Sequence, residues 1–358
     1  MARARPDRGG RGVTRRRGDR GSLLTRLSVA LVLLGACAAG VWLWADWSRF
    51  ADAPLAIGAQ GRTVEVARGM TLKDIVQALR AQEVSAAPAW YWRALAARMG
   101  VAGHLHAGEY ALDPGLTPRT LLERMAAGRV LQHRLTIVEG WTFRQLRDEL
   151  RRADKLEHAT ADLGDDEVMR RLGFPGEAPE GRFLPETYAY VKGDSDLDVL
   201  RRAHEAMQKY LAVQWAQRDP AVPLETPYQA LVLASIVEKE TGRGEERAEI
   251  AGVFERRLKL GMRLQTDPAV IYGLGSEYDG NLRKRDLEAD TPYNTYTRAG
   301  LPPTPIALPG KAAIAAVLHP APGDALYFVA RGDGTHQFSA TLEEHNRAVA
   351  RYQLGRKR

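Results

Sequence analysis

The most apolar part of the chain is a run of nineteen residues without a formal charge, residues 27–45. As an α-helix, this run would be about 28 Å long, which is enough to cross the hydrocarbon core of a bilayer. Trp42, Trp44 and Trp47 gather at its far end, and indole rings favour the interface between membrane and water. The pattern predicts a transmembrane helix over residues 27–45 and a linker over residues 46–61.

One pattern of polar and apolar positions then occurs three times, in residues 69–79 (GMTLKDIVQAL), 115–125 (GLTPRTLLERM) and 140–150 (GWTFRQLRDEL). Each copy has glycine, an apolar residue and threonine, followed by apolar residues at helical spacing. The threonine is a typical N-cap, because its hydroxyl accepts a hydrogen bond from a free backbone N–H of the first turn. Alternating strand patterns precede the three helices, at residues 62–67, 107–112 and 133–139. We predict a unit of strand, turn and capped helix that occurs three times. The alternative is that this unit is only a common packing arrangement without any binding role.

Helical periodicity is strongest after Thr226, which with Gln229 has the spacing of a capping box. The helix continues through residues 231–237, which are apolar except for Ser235. Such a helix must be covered on nearly every side. A strand pattern at residues 325–330 and an amphipathic helix complete the chain. These elements predict an α+β fold: an N-terminal transmembrane helix, a small α/β subdomain and a larger mixed α+β domain.

Charge is concentrated at one end of the chain. The 358 residues carry a formal net charge of +7, and nine arginines against two aspartates in residues 1–26 account for all of it. The neutral remainder gives no reason to expect a nucleic acid as partner. Arginines beside a membrane helix favour the cytoplasmic side. We predict a basic cytoplasmic tail over residues 1–26 and a location outside the cytoplasm for everything that follows the helix.

The alternative at the N-terminus is a cleaved signal peptide. Residues 34–37 (LGAC) resemble a loose lipoprotein processing box, in which Cys37 would carry the lipid. Apolar sequence continues well past Cys37, whereas the apolar region of a signal peptide has about 7 to 15 residues, so a retained anchor is favoured. Cys37 is the only cysteine, and the chain therefore has neither disulfides nor thiolate chemistry outside the anchor.

Two glutamates, Glu238 and Glu240, lie in the last turn of the buried helix. Burial and the negative end of the helix dipole both disfavour a carboxylate there and raise its pKa. A carboxyl group that keeps its proton near neutral pH can act as a general acid. From the residues alone, a glutamate paired with Lys239 or Arg243 is the simpler interpretation.

The helical face distinguishes the two glutamates. Glu238 shares its face with Ala234 and Ser235, which are small enough to leave room for a ligand, whereas Glu240 faces bulkier residues. This favours Glu238 as the acid. The eight histidines are scattered, and no phosphate-binding loop, nucleophile elbow or dinucleotide fingerprint occurs. The sequence implies no metal and no cofactor.

Five further segments carry a resemblance to a known family. Residues 139–146 (EGWTFRQL) and 180–188 (EGRFLPETY) precede the buried helix, and residues 253–275, 291–310 (TPYNTYTRAGLPPTPIALPG) and 319–330 (HPAPGDALYFVA) follow it. Together with SIVEKE in the helix itself, they resemble the endolytic murein transglycosylase family. The resemblance covers nearly the whole chain beyond the anchor, and motifs of this length in the same order are specific.

The resemblance implies an inner-membrane protein with a LysM-like, glycan-binding subdomain over residues 62–132 and a catalytic domain over residues 133–352. Peptidoglycan glycan strands would be the substrate, and peptidoglycan synthases would be partners at the membrane. A spacer without glycan affinity is the alternative for the subdomain. The family's catalytic glutamate is the first of SIVEKE, which is Glu238 in this chain.

The reaction implied is cleavage of the bond between N-acetylmuramic acid and N-acetylglucosamine within a strand, leaving a 1,6-anhydro end. Glu238 would protonate the departing oxygen and then take the proton of the muramyl 6-hydroxyl. Asp267 and Glu186 are candidates for a second carboxylate. A turn cap and a salt-bridge partner, respectively, are simpler roles for these two acids. The predicted substrate-binding residues, these two acids included, are Ser235, Gln265, Asp267, Tyr293, Asn294, Tyr296 and Glu186.

Three other functions compete with this interpretation. A glycan-binding scaffold protein would use Glu238 only structurally, and a muramidase hydrolase would need a second functional carboxylate and a water. A pyridoxal-phosphate lyase is the weakest, because the sequence offers neither a Schiff-base lysine nor a phosphate cradle.

Overall fold

The structure, a computed structural model, describes residues 20–354, and side-chain surroundings from residue 25 to 354. Most of the tail predicted over residues 1–26 therefore lies outside the described residues. The chain divides into two compact units after Val130, close to the boundary predicted after residue 132. The described part is an α+β protein whose three sheets have two antiparallel strands each.

From residue 20 onward, the first unit has four helices and one sheet. Strands β1 and β2 pair with Val64 opposite Tyr110, and the buried face of the sheet packs with the helices around Trp92 and Leu79. The elements are α1 (Arg20–Asp52), β1 (Arg62–Val66), α2 (Leu72–Ala81), α3 (Ala89–Arg98), β2 (Gly108–Leu112) and α4 (Pro118–Ala126).

Helix α1 contains the one candidate membrane span among the described residues. Its segment Thr25–Asp52 reaches a mean hydropathy of 2.1, and none of the most apolar window is buried. Length and composition suit a membrane helix, and a signal sequence would satisfy the same criteria.

The linker predicted over residues 46–61 is wrong at its start. Helix α1 continues to Asp52, just ahead of Pro54, which cannot continue a helix without losing a hydrogen bond. Ala51 and Leu55 are buried in the core of the first unit. The Leu55 N–H donates to the carbonyl of Leu116 at 2.8 Å. The end of α1 is therefore part of the folded unit.

The predicted strand, turn and capped helix is confirmed in all three places. The hydroxyls of Thr71, Thr117 and Thr142 accept the backbone N–H three residues on, at 3.2 to 3.4 Å, and each of those residues returns a side-chain bond to the threonine N–H. The copies are not equivalent, because only the first two share a sheet. The third copy belongs to the second unit.

The second unit has two neighbouring cores. One surrounds the sheet of β3 and β4, and the other surrounds α8, which packs against α7, α9, α10 and α12. The elements are β3 (His133–Thr136), α5 (Phe143–Arg152), α6 (Asp165–Leu172), β4 (Thr187–Tyr190), α7 (Asp196–Ala216), α8 (Pro227–Glu240), α9 (Arg247–Lys259), α10 (Asp267–Leu274), α11 (Lys284–Glu288), α12 (Lys311–Leu318), β5 (Tyr327–Ala330), β6 (His336–Ser339) and α13 (Leu342–Val349).

Glu255 in α9 is buried without a full set of partners. It is 2% exposed, and among the described residues its Oε1 has no hydrogen-bond partner. Burial raises its pKa to about 8. The folded state therefore binds more protons than the unfolded chain between the ordinary and the raised pKa, and the free energy of unfolding falls as pH rises through that window.

We expect the free energy of unfolding to fall between about pH 6.5 and pH 8. Burial raises the pKa of Glu180 and Glu240 to about 7, so these two acids add to the slope. Burial lowers the pKa of His204 to about 4, which opposes the trend only below about pH 6.5. The variant Glu255→Gln should flatten the slope and stabilise the protein at pH 8 by about 2 to 4 kcal/mol.

Urea unfolding of the full chain in detergent at several pH values measures this slope. The control Glu205→Gln removes an exposed glutamate of α7 and should leave the slope unchanged. An equal slope in the Glu255→Gln variant and the wild type would contradict the assignment.

Candidate active site

Helix α8 delivers the candidate acid to the site. It begins at Pro227, after an N-cap in which the Thr226 hydroxyl accepts the Gln229 N–H at 3.2 Å. The predicted reciprocal bond is absent, because the Gln229 side chain accepts the N–H of Glu225 instead. Every residue from Ala230 to Val237 is buried, as the apolar run predicts. The helix ends at Glu240, where Thr241 turns to an extended backbone.

The carboxyl group of Glu238 lies where three helices meet. Its side chain is 6% exposed. Its Oε2 accepts the backbone N–H of Gly310 at 2.9 Å, and Gly310 is the N-cap of α12. Its Oε1 lies 3.4 Å from Nη2 of Arg247, the first residue of α9. The end of α8 thus faces the positive ends of two other helices.

Opposing effects act on the acidity of Glu238. Burial is the largest and raises the pKa of the Glu238 carboxyl, and the nearby carboxylate of Glu139 raises it further. The Gly310 N–H and the guanidinium of Arg247 act in the opposite direction, because both favour the charged form. The net direction is upward, so the carboxyl keeps its proton to a higher pH than an exposed glutamate.

The partners expected from sequence for a helix-end glutamate are wrong. The amine of Lys239 donates to the Gly140 carbonyl at 3.2 Å, and the Arg243 guanidinium donates to the Asp333 carbonyl at 3.1 Å. Arg247 takes the place beside Glu238, because it starts the helix that packs against α8. Sequence spacing pointed to the nearest cations, whereas the fold brings in a cation nine residues away.

A second carboxylate, Glu139, lies beside Gly310. Gly140 and Trp141 exchange two backbone hydrogen bonds with Leu308, at 2.9 and 2.7 Å, which fixes the loop after β3 against the segment before α12. A Cβ on Gly310 would lie 1.9 Å from Oε1 of Glu139. The glycine therefore leaves room for this carboxylate. Glu139 is absent from the residues predicted for the site, although it opens the EGWTFRQL motif.

Ser235, predicted to contact substrate, is fully buried. Its hydroxyl donates to the Val232 carbonyl at 2.7 Å and accepts the Ile306 N–H at 2.9 Å. It therefore holds the segment before α12 in place and has no surface to offer a ligand. The small residue on the face of Glu238 serves packing, and the prediction of a substrate contact is wrong here.

Asn294 also has a structural role. It is 1% exposed, and its side-chain amide donates to three backbone carbonyls at the end of α11 while its oxygen accepts the Tyr296 N–H. The Asn294 side chain therefore builds a rigid polar turn and is buried away from any ligand, which speaks against the predicted sugar contact.

Three predicted substrate-binding residues lie away from Glu238: Gln265, Asp267 and Tyr296. Tyr296 donates its hydroxyl to Oδ1 of Asp267 at 2.5 Å, and Asp267 begins α10. Gln265 is exposed and has a positive φ of 51°. The hydroxyl of Thr266 bonds to Glu240, whose pKa burial raises to about 7. The structure thus places Asp267 and Tyr296 near Glu240, with Gln265 adjacent to Thr266 in the chain, and none of the three is a partner of Glu238.

Glu186, the other predicted second carboxylate, is ion-paired with Lys311, the first residue of α12. Both side chains are exposed. This confirms the salt-bridge alternative for Glu186. The pair lies one residue along the chain from Gly310, so it contributes to the charge around the start of α12.

A cleft of about 760 Å³ adjoins the end of helix α8. Lys239 lines it, as do Thr142 and Phe143 of the segment that follows Glu139, whereas Glu238 itself is not among its lining residues. Tyr293, a predicted substrate contact, also lines the cleft, with its ring 5.1 Å edge-on from Tyr272. The cleft is large enough for a sugar ring and offers aromatic surface to it.

Glu180 lies in the wall of this cleft and was missed as a site residue. Its carboxylate accepts the Phe143 N–H at 3.0 and 3.2 Å and the Tyr272 hydroxyl at 3.1 Å. Burial raises its pKa to about 7. Glu180 opens the EGRFLPETY motif directly after Pro179 and outside any periodic segment, so only the fold reveals its burial. Within residues 25–354, no group of three or more metal-binding side chains comes together.

These features define a class of protein: an α+β chain behind an apolar N-terminal helix, with a buried acid at a junction of three helices. The chain belongs to the YceG-like family, whose profile matches residues 64–351. This agrees with the resemblance found in its motifs.

Relatives with curated names agree with the family. The endolytic murein transglycosylase of Bacillus subtilis (strain 168) is 32% identical over 271 residues, 70% of this chain and 74% of the relative. The protein of the same name from Streptococcus pneumoniae (strain ATCC BAA-255 / R6) is 28% identical over 69% of this chain, which spans about half (51%) of that relative. A crystal structure of a YceG-like protein from Listeria monocytogenes is 31% identical, with a TM-score of 0.51 over 81% of this chain and 99% of that one.

The role of Ser235 can be tested by Ser235→Ala. The variant leaves the buried Ile306 N–H without its acceptor, and such a loss costs about 1–3 kcal/mol. We expect the free energy of unfolding, measured in urea, to fall by this amount. Glycan binding at urea concentrations too low to unfold the protein should stay unchanged. Weaker glycan binding at unchanged stability would instead support the substrate contact predicted from sequence. Ser276→Ala, which changes an exposed serine of the second unit, is a matched control for stability.

Proposed function

We propose that this protein is a peptidoglycan lytic transglycosylase that cuts within glycan strands, with Glu238 as its acid and base. The observation that carries the proposal is the Glu238 carboxyl, which is 6% exposed, has a raised pKa and faces one N–H and one guanidinium. Membership of the YceG-like family and two relatives named endolytic murein transglycosylase support the activity.

The surroundings of Glu238 suit both halves of the reaction. In the first half the protonated carboxyl gives its proton to the oxygen between N-acetylmuramic acid and N-acetylglucosamine, and the C1–O bond breaks with its electron pair on that oxygen. Burial favours the protonated form needed at this point. The carboxylate left behind is stabilised by the Gly310 N–H and Arg247, which are already in place.

In the second half this carboxylate takes the proton of the muramyl 6-hydroxyl, and that oxygen bonds to C1. The product is a 1,6-anhydro end, and no water is consumed. One carboxyl group therefore completes the cycle in its starting, protonated state.

The N-terminal sequence supports a site of action at the membrane. Helix α1 carries a segment apolar enough to span, and nine arginines precede or begin it. A cytoplasmic N-terminus would place both compact units outside the cytoplasm, beside newly made strands. The inner membrane as location, peptidoglycan synthases as partners and a LysM-like, glycan-binding role for the first unit are parts of this proposal.

A muramidase hydrolase is the second candidate function. The observation that favours it is Glu139, a carboxylate close enough to Glu238 to influence its pKa. Hydrolases that use water need a second carboxyl group as base or nucleophile. The two functions differ in the product: a hydrolase leaves a reducing muramic acid, whereas a transglycosylase leaves the anhydro form.

Mass spectrometry of the products from uncrosslinked glycan strands tests the proposal. We expect the wild type to form anhydro-muramyl ends and Glu238→Gln to form them at least about 100-fold more slowly, because glutamine cannot transfer the proton. The matched control is Glu240→Gln, the other buried glutamate of the same helix end, whose amide oxygen can still accept the Thr266 hydroxyl. It should retain activity.

Each contrary result has a definite meaning. Reducing ends from the wild type would establish the hydrolase. Glycan binding without cleavage by the wild type would favour a scaffold protein. Equal loss in the Glu238→Gln and Glu240→Gln variants would show that the helix end, rather than Glu238 itself, is required.

A further inference from the structure

We propose that Glu139 is the second carboxylate of the active site and stabilises the positive charge that develops on C1 of the muramic acid as the glycosidic bond breaks. This inference rests on the proposed function and adds a residue to it. It differs from the hydrolase, because Glu139 forms no bond to the sugar and activates no water.

Glu139 and Glu238 meet at Gly310. Its Oε1 lies 1.9 Å from where a Cβ on Gly310 would be, and the N–H of the same glycine binds Glu238 at 2.9 Å. Two carboxyl groups therefore meet at one residue without sharing a hydrogen bond. A sugar whose oxygen approaches Glu238 would bring the adjacent C1 close to Glu139.

Glu139 is also free to act on a ligand. It is exposed, and within residues 25–354 its carboxylate makes no hydrogen bond or ion pair. The other candidate acids are engaged, since Glu186 pairs with Lys311 and Asp267 accepts the Tyr296 hydroxyl. An unpaired side chain at this position has no other charged partner to compete with a developing cation.

The loop that carries Glu139 leads into the cleft. The segment that carries Glu139 continues into Thr142 and Phe143, which line the cleft, and Lys239 lines it next to Glu238. The backbone bonds between Gly140, Trp141 and Leu308 fix this segment. The loop after β3 and the end of α8 therefore reach the same end of the cleft, where a glycan strand would enter the site.

The electrostatic surroundings allow this role. Arg247 binds Glu238, and Lys239 donates to the Gly140 carbonyl rather than to Glu139. The proton passes from Glu238 to the leaving oxygen, the bonding electrons stay with that oxygen, and C1 becomes electron-poor beside Glu139. The charged groups around Glu238 are Arg247 from α9, Glu139 from the loop after β3, Lys239 from α8, and Lys311 from α12 with its partner Glu186.

The test compares rates of anhydro-end formation by the full chain in detergent. We expect Glu139→Gln to lower the rate about 10- to 100-fold while glycan binding changes less than twofold, because the charge acts in the transition state. Glu139→Asp keeps the charge and should recover part of the rate. The control Glu245→Gln removes an exposed glutamate near the start of α9 and should match the wild type.

The pH profile gives a readout that a structural role would not move. A carboxylate beside Glu238 favours its protonated form, so removing the charge lowers the pKa of Glu238. The loss of activity on the alkaline side should therefore begin at lower pH in Glu139→Gln, and at the wild-type pH in Glu139→Asp.

Gly310→Ala is an independent variant. The backbone φ of Gly310 is −74°, which alanine adopts readily, but the new Cβ must displace the Glu139 carboxylate. We expect a loss similar to that of Glu139→Gln, and no further loss in the double variant, because both changes remove the same interaction.

An unchanged rate and pH profile in Glu139→Gln would overturn the inference, whatever Gly310→Ala does. Reducing ends from the wild type that disappear in Glu139→Gln would also overturn it and make Glu139 the base of a hydrolase. Absence of any cleavage by the wild type would be a failure of the proposed function itself. Normal anhydro ends from wild type and Glu139→Gln alike would be a failure of this inference alone.

Discussion

The interaction on which the site depends is the hydrogen bond from the Gly310 N–H to the carboxyl of Glu238. A carboxyl group at the end of a buried helix is disfavoured as an anion by desolvation and by the helix dipole. The start of α12 and the guanidinium of Arg247 offset part of this cost. The result is a group that accepts either protonation state, which a residue that gives and later takes a proton requires.

Helix α8 supplies the acid and also positions the acid's partner. Through Ser235 it binds Ile306, four residues before Gly310. The same segment is held from another side by Gly181, whose φ is 80° and where a Cβ would lie 2.5 Å from the Pro305 ring. Only glycine fits this position without strain or displacement. Burial of α8 is therefore required for the geometry of the site as well as for stability, since a shift of the helix would move both halves of the hydrogen bond.

Features that depend on neighbouring residues, such as helix caps, could be predicted from the sequence. Side-chain partners that are distant in the chain could not. Thr71 and Thr142 cap their helices as expected, because an N-cap needs only residues three positions apart. The burial of α8 followed from its unbroken apolar run. Sequence spacing could not reveal that Arg247 would replace Lys239 beside Glu238. Ser235 was misassigned for the same reason, since its partner, Ile306, is 71 residues away.

The end of α1 limits how the first unit can move. Ala51 and Leu55 belong to the core of this unit, and the Asp52 carboxylate pairs with Arg119 of α4 at 2.7 Å. A helix whose last turn is packed into a folded core cannot pivot freely about its end. If α1 spans a membrane, the first unit is therefore fixed at the membrane surface rather than tethered to it by a loose segment.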